Sequence, residues 1–280
     1  MNIRLSTVHG REFGAGVEAA IVRSDLRQAD IARILNWHDS KVSNLVNGKG
    51  GATQQEIAQL LGVCRTKPAI VTHLLALFAM REQSGWWQQH GICQPVELRT
   101  TTTNLRSAAT LVSWNPHVVP DLLQTTDYLR AVLQASATLP ADELEQRVEA
   151  RRKLQGAMLR VKTRTFFIHE LALRLPVGGA AVHTEQLRHL ATEINPPNMT
   201  IRIVPAAQGA HAGMAGAFTR LTGVRQAPVV LVQTENSSLF AEAKDAVTGY
   251  EMVITALEKT SLTCEESKKL IAGLCREARL

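Results

Sequence analysis

The stretch DLRQADIARILNWHDSKVSNLVNGKGGATQQEIAQLLG, Asp25–Gly62, decides how the chain reads. Ala29, Ile31, Ala32, Ile34 and Leu35 recur at the i, i+3, i+4 spacing of one helix face and predict a first helix over 27–35. Asn36, Trp37 and His38 break that period at once. Asp39 then offers a carboxylate to free backbone N–H groups, so a second helix is expected to start there with Asp39 as its N-cap. That helix should bury Val42, Leu45 and Val46 and expose Ser40, Lys41, Ser43, Asn44 and Asn47. Gly48 follows, the residue type that closes helices. A third helix is expected over 53–61, with Thr53 as N-cap, Glu56 at the capping-box position and Gly62 as its stop.

Two short helices joined by so tight a turn can set the second helix in the major groove of DNA. The exposed residues suit that role. Lys41 matches guanine or phosphate, and Asn44 matches adenine through a bidentate pair. Ser40 and Ser43 permit close approach, while Asn47 and Lys49 would reach the backbone. Gln28, at the start of the preceding helix, would bond a phosphate beside that helix's free N–H groups. With Asp39 these form the candidate DNA-contacting set.

The segment from Phe13 to Cys64 resembles the Xre-type helix-turn-helix family of phage-repressor kin. The matching residues are Gln28, Ile31 and Ala32, then Ser40-Lys41-Val42-Ser43 and Asn47-Gly48, then Glu56-Ile57-Ala58-Gln59-Leu60-Leu61-Gly62. Arg27 stands where that family favours Thr, Trp37-His38 replaces its apolar-Ser turn, and Val46 replaces a frequent acidic residue. The resemblance implies double-stranded DNA as a partner, and a homodimer on a palindromic operator.

Composition sets outer limits. The 280 residues are 45% hydrophobic, 20% charged and 4% aromatic, enough for one large or two ordinary domains with aliphatic cores. The net charge of +6 is compatible with phosphate contacts without requiring them. Cys64, Cys93, Cys264 and Cys275 fit no metal-ligand spacing and read as free thiols in a reducing compartment. The first sixteen residues lack the apolar run of a signal peptide, and no stretch reaches the about 20 apolar residues of a membrane span. A cytoplasmic protein is expected.

Three zones follow: residues 1–85 as an all-α helix-turn-helix domain, 86–120 as an irregular junction, and 121–280 as an α+β regulatory or dimerisation domain. In the last zone, 121–135, 142–161 and 184–195 read as helices, the third stopped by Pro196 and Pro197. Thr165–His169, Thr200–Val204, Phe218–Leu221 and Val229–Val232 read as strands of a small, mostly antiparallel sheet. Helices over 243–259 and 264–279 close the chain. The fold class is therefore α+β.

Several separated motifs carry a second resemblance. They are Val118–Leu133, Arg147–Gln155, Leu173–Gly179, Gly209–Phe218 and Ser261–Ile271. They resemble the Scr1-like or WhiJ-like domain that follows Xre-type motifs in actinomycete regulators. Asp121 and the run Thr100–Thr103 depart from that pattern. The resemblance implies a transcriptional regulator with a small acidic partner protein encoded nearby, or a small-molecule effector. It also leaves open an antitoxin-like protein whose main act is sequestering that partner.

The residues offered for partner or ligand binding are Arg147 and Arg151 on one helix, Glu170 after a strand, and His211 in a glycine-rich loop. Each has a plainer reading: a solvated basic face, an i, i+4 pair of Glu170 with Arg174, and a long turn needing positive φ. No P-loop, G-x-S-x-G or H-E-x-x-H occurs, so the sequence points to no catalytic residue, metal or cofactor.

Overall fold

In the computed structural model, residues 5–89, 95–193, 198–224 and 226–277 are described. The chain opens with α1 (Val8–Arg23), where Thr7 Oγ1 accepts the Gly10 N–H at 3.0 Å. Four helices follow: α2 (Gln28–Leu35), α3 (Asp39–Val46), α4 (Gln54–Val63) and α5 (Pro68–Met80). Pro68 starts the last of them, at a position whose N–H has no helical partner anyway. Their apolar faces meet in one core containing Phe13, Val17, Ile31, Val42, Leu45 and Ile57.

Beyond α5 run β1 (Trp86–Gln89), α6 (Pro95–Ser107) and β2 (Thr110–Asn115). Next come α7 (Thr126–Gln134), α8 (Leu144–Met158), β3 (Thr163–His169) and the short α9 (Glu170–Arg174). Then follow α10 (Gly179–Glu193), β4 (Met199–Val204), β5 (Phe218–Thr222), β6 (Val229–Gln233) and β7 (Ser237–Ala241). The described chain closes with α11 (Lys244–Thr260) and α12 (Cys264–Glu277). The architecture is α+β, as the sequence predicts.

The strands form one seven-stranded sheet in the order β1-β7-β6-β5-β2-β3-β4. It is mostly antiparallel, but β3 pairs in parallel with both β2 and β4. The expected small sheet is therefore corrected to a larger, mixed one. The parallel pairs arise because α7 and α8 connect β2 to β3, and α9 and α10 connect β3 to β4. The strands alternate between two cores. Leu111, Phe166, Ile168, Ile201 and Leu231 pack on one side with Leu154 of α8 and Leu190 of α10. Trp114, Phe167, Val204 and Val230 pack on the other with Ile254 and Leu257 of α11.

The stretch 86–120, where an irregular junction is expected, forms β1, α6 and β2 over its described residues. Its Thr run is a poor helix former, because branched Cβ atoms crowd the preceding turn. Tertiary contacts impose the helix instead. Thr100 and Asn104 are fully buried, Asn104 Oδ1 accepts Arg11 Nε at 2.8 Å, and Thr100 Oγ1 accepts Gln88 Nε2 at 2.9 Å. The 121–135 helix is split into a 3-10 turn at Asp121–Leu123 and α7, capped by Thr125. Strand β7 and helix α9 were not expected. The helix stop at Pro196 and Pro197, the thiol of Cys93 and the helix end near residue 279 lie outside the described residues. Cys64 and Cys264 are free thiols.

A buried ion pair joins the N-terminal helices to the sheet. Arg11 Nη2 meets Glu242 Oε1 at 2.9 Å, with side chains 5% and 2% exposed. The Glu242 carboxylate also accepts the Val8 N–H at 2.9 and 3.0 Å and the Gly85 N–H at 3.2 Å. Beside it, His9 stacks on Trp86 with ring centroids 4.4 Å apart.

Candidate nucleic-acid interface

Helices α2 and α3 stand where the sequence placed them, and the turn between them has a definite cause. Asn36 adopts the left-handed conformation at φ 55° and ψ 45°. The Trp37 N–H then donates to Ala32 O at 2.8 Å and the Asn36 N–H to Arg33 O at 3.3 Å. This pair of bonds is a Schellman closure, which asparagine tolerates at its left-handed position better than most residues. The chain turns at Asn36 and enters α3 at Asp39.

His38, not Asp39, is the N-cap of α3, and it makes no side-chain cap bond. Asp39 is the first residue inside the helix, where its charge favours the positive end of the helix dipole. The expected N-cap role is therefore corrected by one residue.

Helix α3 ends by the same device. Gly48, at φ 68°, donates to Leu45 O at 3.0 Å, and the Lys49 N–H donates to Asn44 O at 2.9 Å. A Cβ at Gly48 would stand 2.2 Å from the Gly10 carbonyl oxygen, and one at Gly14 would stand 2.3 Å from Val46 O. Only glycines let α1 approach the end of α3 this closely.

Burial sorts the face of α3. Val42 and Leu45 are fully buried. Ser40, Ser43, Asn44 and Asn47 are exposed and fall at i, i+3, i+4 and i+7, a single stripe along the helix. Gln28, the first residue of α2, is exposed too. The Asn47 amide bonds back to Ser43 O at 2.6 Å, which closes the helix and leaves Ser40, Ser43 and Asn44 as its outward groups.

Lys41 departs from its expected place. Its ammonium bonds Glu56 Oε1 at 2.5 Å and lies 4.3 Å from the centre of the Trp37 ring. It ties α3 to α4 and to the turn instead of projecting outward. Glu56 also caps α4, since its Oε2 accepts the Thr53 N–H at 2.8 Å while Thr53 Oγ1 accepts the Glu56 N–H at 3.2 Å. This is the expected capping box. Lys41, then the Thr53 N–H, hold the Glu56 carboxyl below the usual carboxylate range. Gly62 lies inside α4, and the helix ends at Val63 with Arg65 left-handed at φ 50°. The clamp of Trp37, Lys41 and Glu56 was missed in the sequence, because partners fifteen residues apart on different helices share no local period.

Near the start of α2, Asp30 Oδ2 accepts the Arg27 N–H and Arg27 Nε, both at 3.1 Å. Arg27 thereby holds the Asp30 carboxyl below its usual range. Half-buried Lys49 has no carboxylate partner among the described residues.

The four residues offered for partner or ligand binding do not converge. Arg147 is buried, and its Nη2 bonds Glu143 at 2.6 Å, which removes it from a solvated face. Arg151 Nη1 bonds Asp121 at 2.8 Å, tying α8 to the 3-10 turn ahead of α7. Both lie on the helix that covers one face of the sheet.

Glu170 and His211 lie near the end of β3. Glu170 Oε1 takes Arg174 Nε at 2.8 Å, the plain i, i+4 pair, and its Oε2 takes the Ala206 N–H at 2.9 Å. Burial pushes the Glu170 carboxyl up, but the Ala206 N–H and Arg174 outweigh it and hold it low.

His211 stacks on His169 at 5.2 Å and meets the edge of Trp114 at 5.2 Å. Trp114 Nε1 donates to Gly213 O at 2.8 Å. The loop around His211 is thus pinned, and Gly209 and Gly216 have positive φ, as the plain reading of a long turn requires. His169 Nδ1 accepts the Leu171 N–H at 3.2 Å, and His211 Nδ1 accepts the Gly213 N–H at 3.1 Å. Burial pushes both imidazoles below their ordinary range. Among the described residues no group of His, Cys, Asp or Glu is arranged to hold a metal, and no helix is long and apolar enough to cross a membrane.

No curated protein and no solved structure matches the chain. The model of the DUF5753 family, described as a domain of unknown function, matches residues 99–273. That span covers well over half of the chain and takes in the sheet from β2 to β7 with most of the helices that cover it, so the chain belongs to the DUF5753 family.

Proposed function

We propose that the protein is a sequence-specific DNA-binding transcriptional regulator, with an Xre-type helix-turn-helix built from α2 and α3. The observation that carries the reading is the stripe of Ser40, Ser43, Asn44 and Asn47. It is exposed and uncharged, and it is presented by a helix whose Val42 and Leu45 are fully buried on the other side. Amide and hydroxyl side chains of this kind can read base edges by hydrogen bonds. Asn44 is the base-reading residue, with Ser40 and Ser43 beside it. Gln28, Asn47 and Lys49 take the phosphate backbone. Lys41 positions α3 and does not touch bases.

The protein acts as a homodimer in the cytoplasm, and a palindromic operator mirrors its two-fold axis. Residues 99–273, in the manner of Scr1-like or WhiJ-like regulators, receive the signal that governs binding.

The test is selection of binding sequences from a random duplex pool, followed by anisotropy titrations over a range of salt. Asn44→Ala should lower affinity for the selected site by about 1–3 kcal/mol and relax the preference at one position. Lys49→Ala should weaken selected and random duplexes alike and reduce the salt slope by about one. If the wild-type protein enriches no sequence and shows no affinity even at low salt, the reading fails.

A further inference from the structure

Between the N-terminal helices and the DUF5753 fold lies an open cleft of about 920 Å³. Helices α1 and α5 form one wall, and α6 and α8 form the other. The floor is apolar and built of small side chains. Ala15, Gly16 and Ala19 come from α1, Ala69 from α5, and Ala150 and Ala157 from α8, with Ile70 and Leu74 completing the lining. Alanine and glycine at these positions leave room that longer side chains would fill.

The rim is cationic. Arg23, Arg99, Arg106, Lys153 and Arg160 all border the cleft. The one carboxylate there, Glu12, is already bonded to Arg99. Lys153 has only a distant contact with Glu149, at 3.7 Å between two exposed side chains. Arg23, Arg106 and Arg160 are exposed and have no carboxylate partner among the described residues. The five cations of the rim outnumber its one carboxylate, so the mouth of the cleft favours an anionic group over a neutral or cationic one.

We propose that this cleft binds a small amphiphilic acid, with a single anionic head held by the arginines of the rim and an apolar body on the alanine floor. The volume lies within the roughly 300–1,000 Å³ of small-molecule sites, which favours a small ligand over a docked protein segment. A ligand there would touch α1, the helix whose Gly10 and Gly14 seat the end of α3. The cleft is thus placed where an effector would act.

The experiment is calorimetric titration of the full chain with dodecanoate below its micellar concentration, with dodecanol and dodecylammonium as controls and no DNA present. Dodecanoate should bind once per chain and about tenfold tighter than dodecanol, because a charge-assisted hydrogen bond to arginine is lost with the carboxylate. Ala19→Trp fills the floor and should abolish binding. Ala69→Trp does the same from an exposed position, where folding is least disturbed. Arg106→Gln with Arg160→Gln should erase the preference for acid over alcohol while leaving dodecanol binding unchanged. Equal affinity for all three amphiphiles, wild-type binding by a folded Trp variant, or binding of an acidic helical peptide but not of dodecanoate would each overturn the proposal.

Discussion

Replacing Glu242 by alanine deletes the acceptor on which α1 and the segment ahead of β1 converge. Its carboxylate takes the Val8 N–H at 2.9 and 3.0 Å, the Gly85 N–H at 3.2 Å and Arg11 Nη2 at 2.9 Å. In the variant, Arg11 keeps Ser6 O and Asn104 Oδ1 but loses its counter-charge while 5% exposed. Removing one partner of a buried ion pair costs about 3–5 kcal/mol, because the survivor remains desolvated. That is a large fraction of the roughly 5–15 kcal/mol that holds a typical domain together. Glu242→Gln keeps one acceptor oxygen and should lie between the wild type and the alanine variant.

The assay is denaturant unfolding at neutral pH, read by circular dichroism and tryptophan fluorescence, on Glu242→Ala, Arg11→Met and the double variant. The double variant should be less destabilised than the sum of the singles, since it leaves no buried charge. If Glu242→Ala costs under about 1 kcal/mol, as an exposed pair would, or if the two changes simply add, the network does not join the N-terminal helices to the sheet.

Gly48→Ala should cost more than the about 1–2 kcal/mol of a left-handed alanine, because its Cβ would also meet Gly10 O at 2.2 Å; a melting shift no larger than that of an exposed glycine would refute this. Lys41→Ala should lower stability by freeing α3 from Glu56 and Trp37, whereas exposed Asn44→Ala should leave the melting temperature unchanged; thermal denaturation of both variants separates positioning from contact. Acid should weaken the fold through histidines that packing has desolvated. His169, His183 and His211 are pushed below their ordinary range chiefly by burial, with His211 and His117 adding repulsion at His169 against the opposing charge of Glu170. The unfolded chain therefore takes up protons first, so this stability is complete above about pH 6.5 and declines as pH falls below it. His169→Gln should flatten that decline in pH-dependent unfolding curves, and an unchanged slope would exclude His169 from it.

The segment Asp25–Gly62 by itself determined three helices, the break at Asn36–His38 and the capping box at Thr53 and Glu56, though not the N-cap of α3 or the end of α4. Those features depend on neighbours within about one turn, so local spacing encodes them. Sequence also disclosed the strands TFFIH and TIRIV, whose apolar runs are buried. It did not disclose the two strands and the helix within 86–120. That helix is held by Arg11 and the strands by β3, β5 and β7, all distant in the chain, with Gln88 of β1 bonding Thr100 within the stretch. Nor did it show that Lys41 faces Glu56 and Trp37, that Arg147 is buried, or that α1, α5, α6 and α8 enclose a basic-rimmed cleft. Each of those facts is a meeting of residues from separate elements. Only the packed chain decides such meetings, because burial and long-range pairing outweigh the small local preferences that a sequence pattern records.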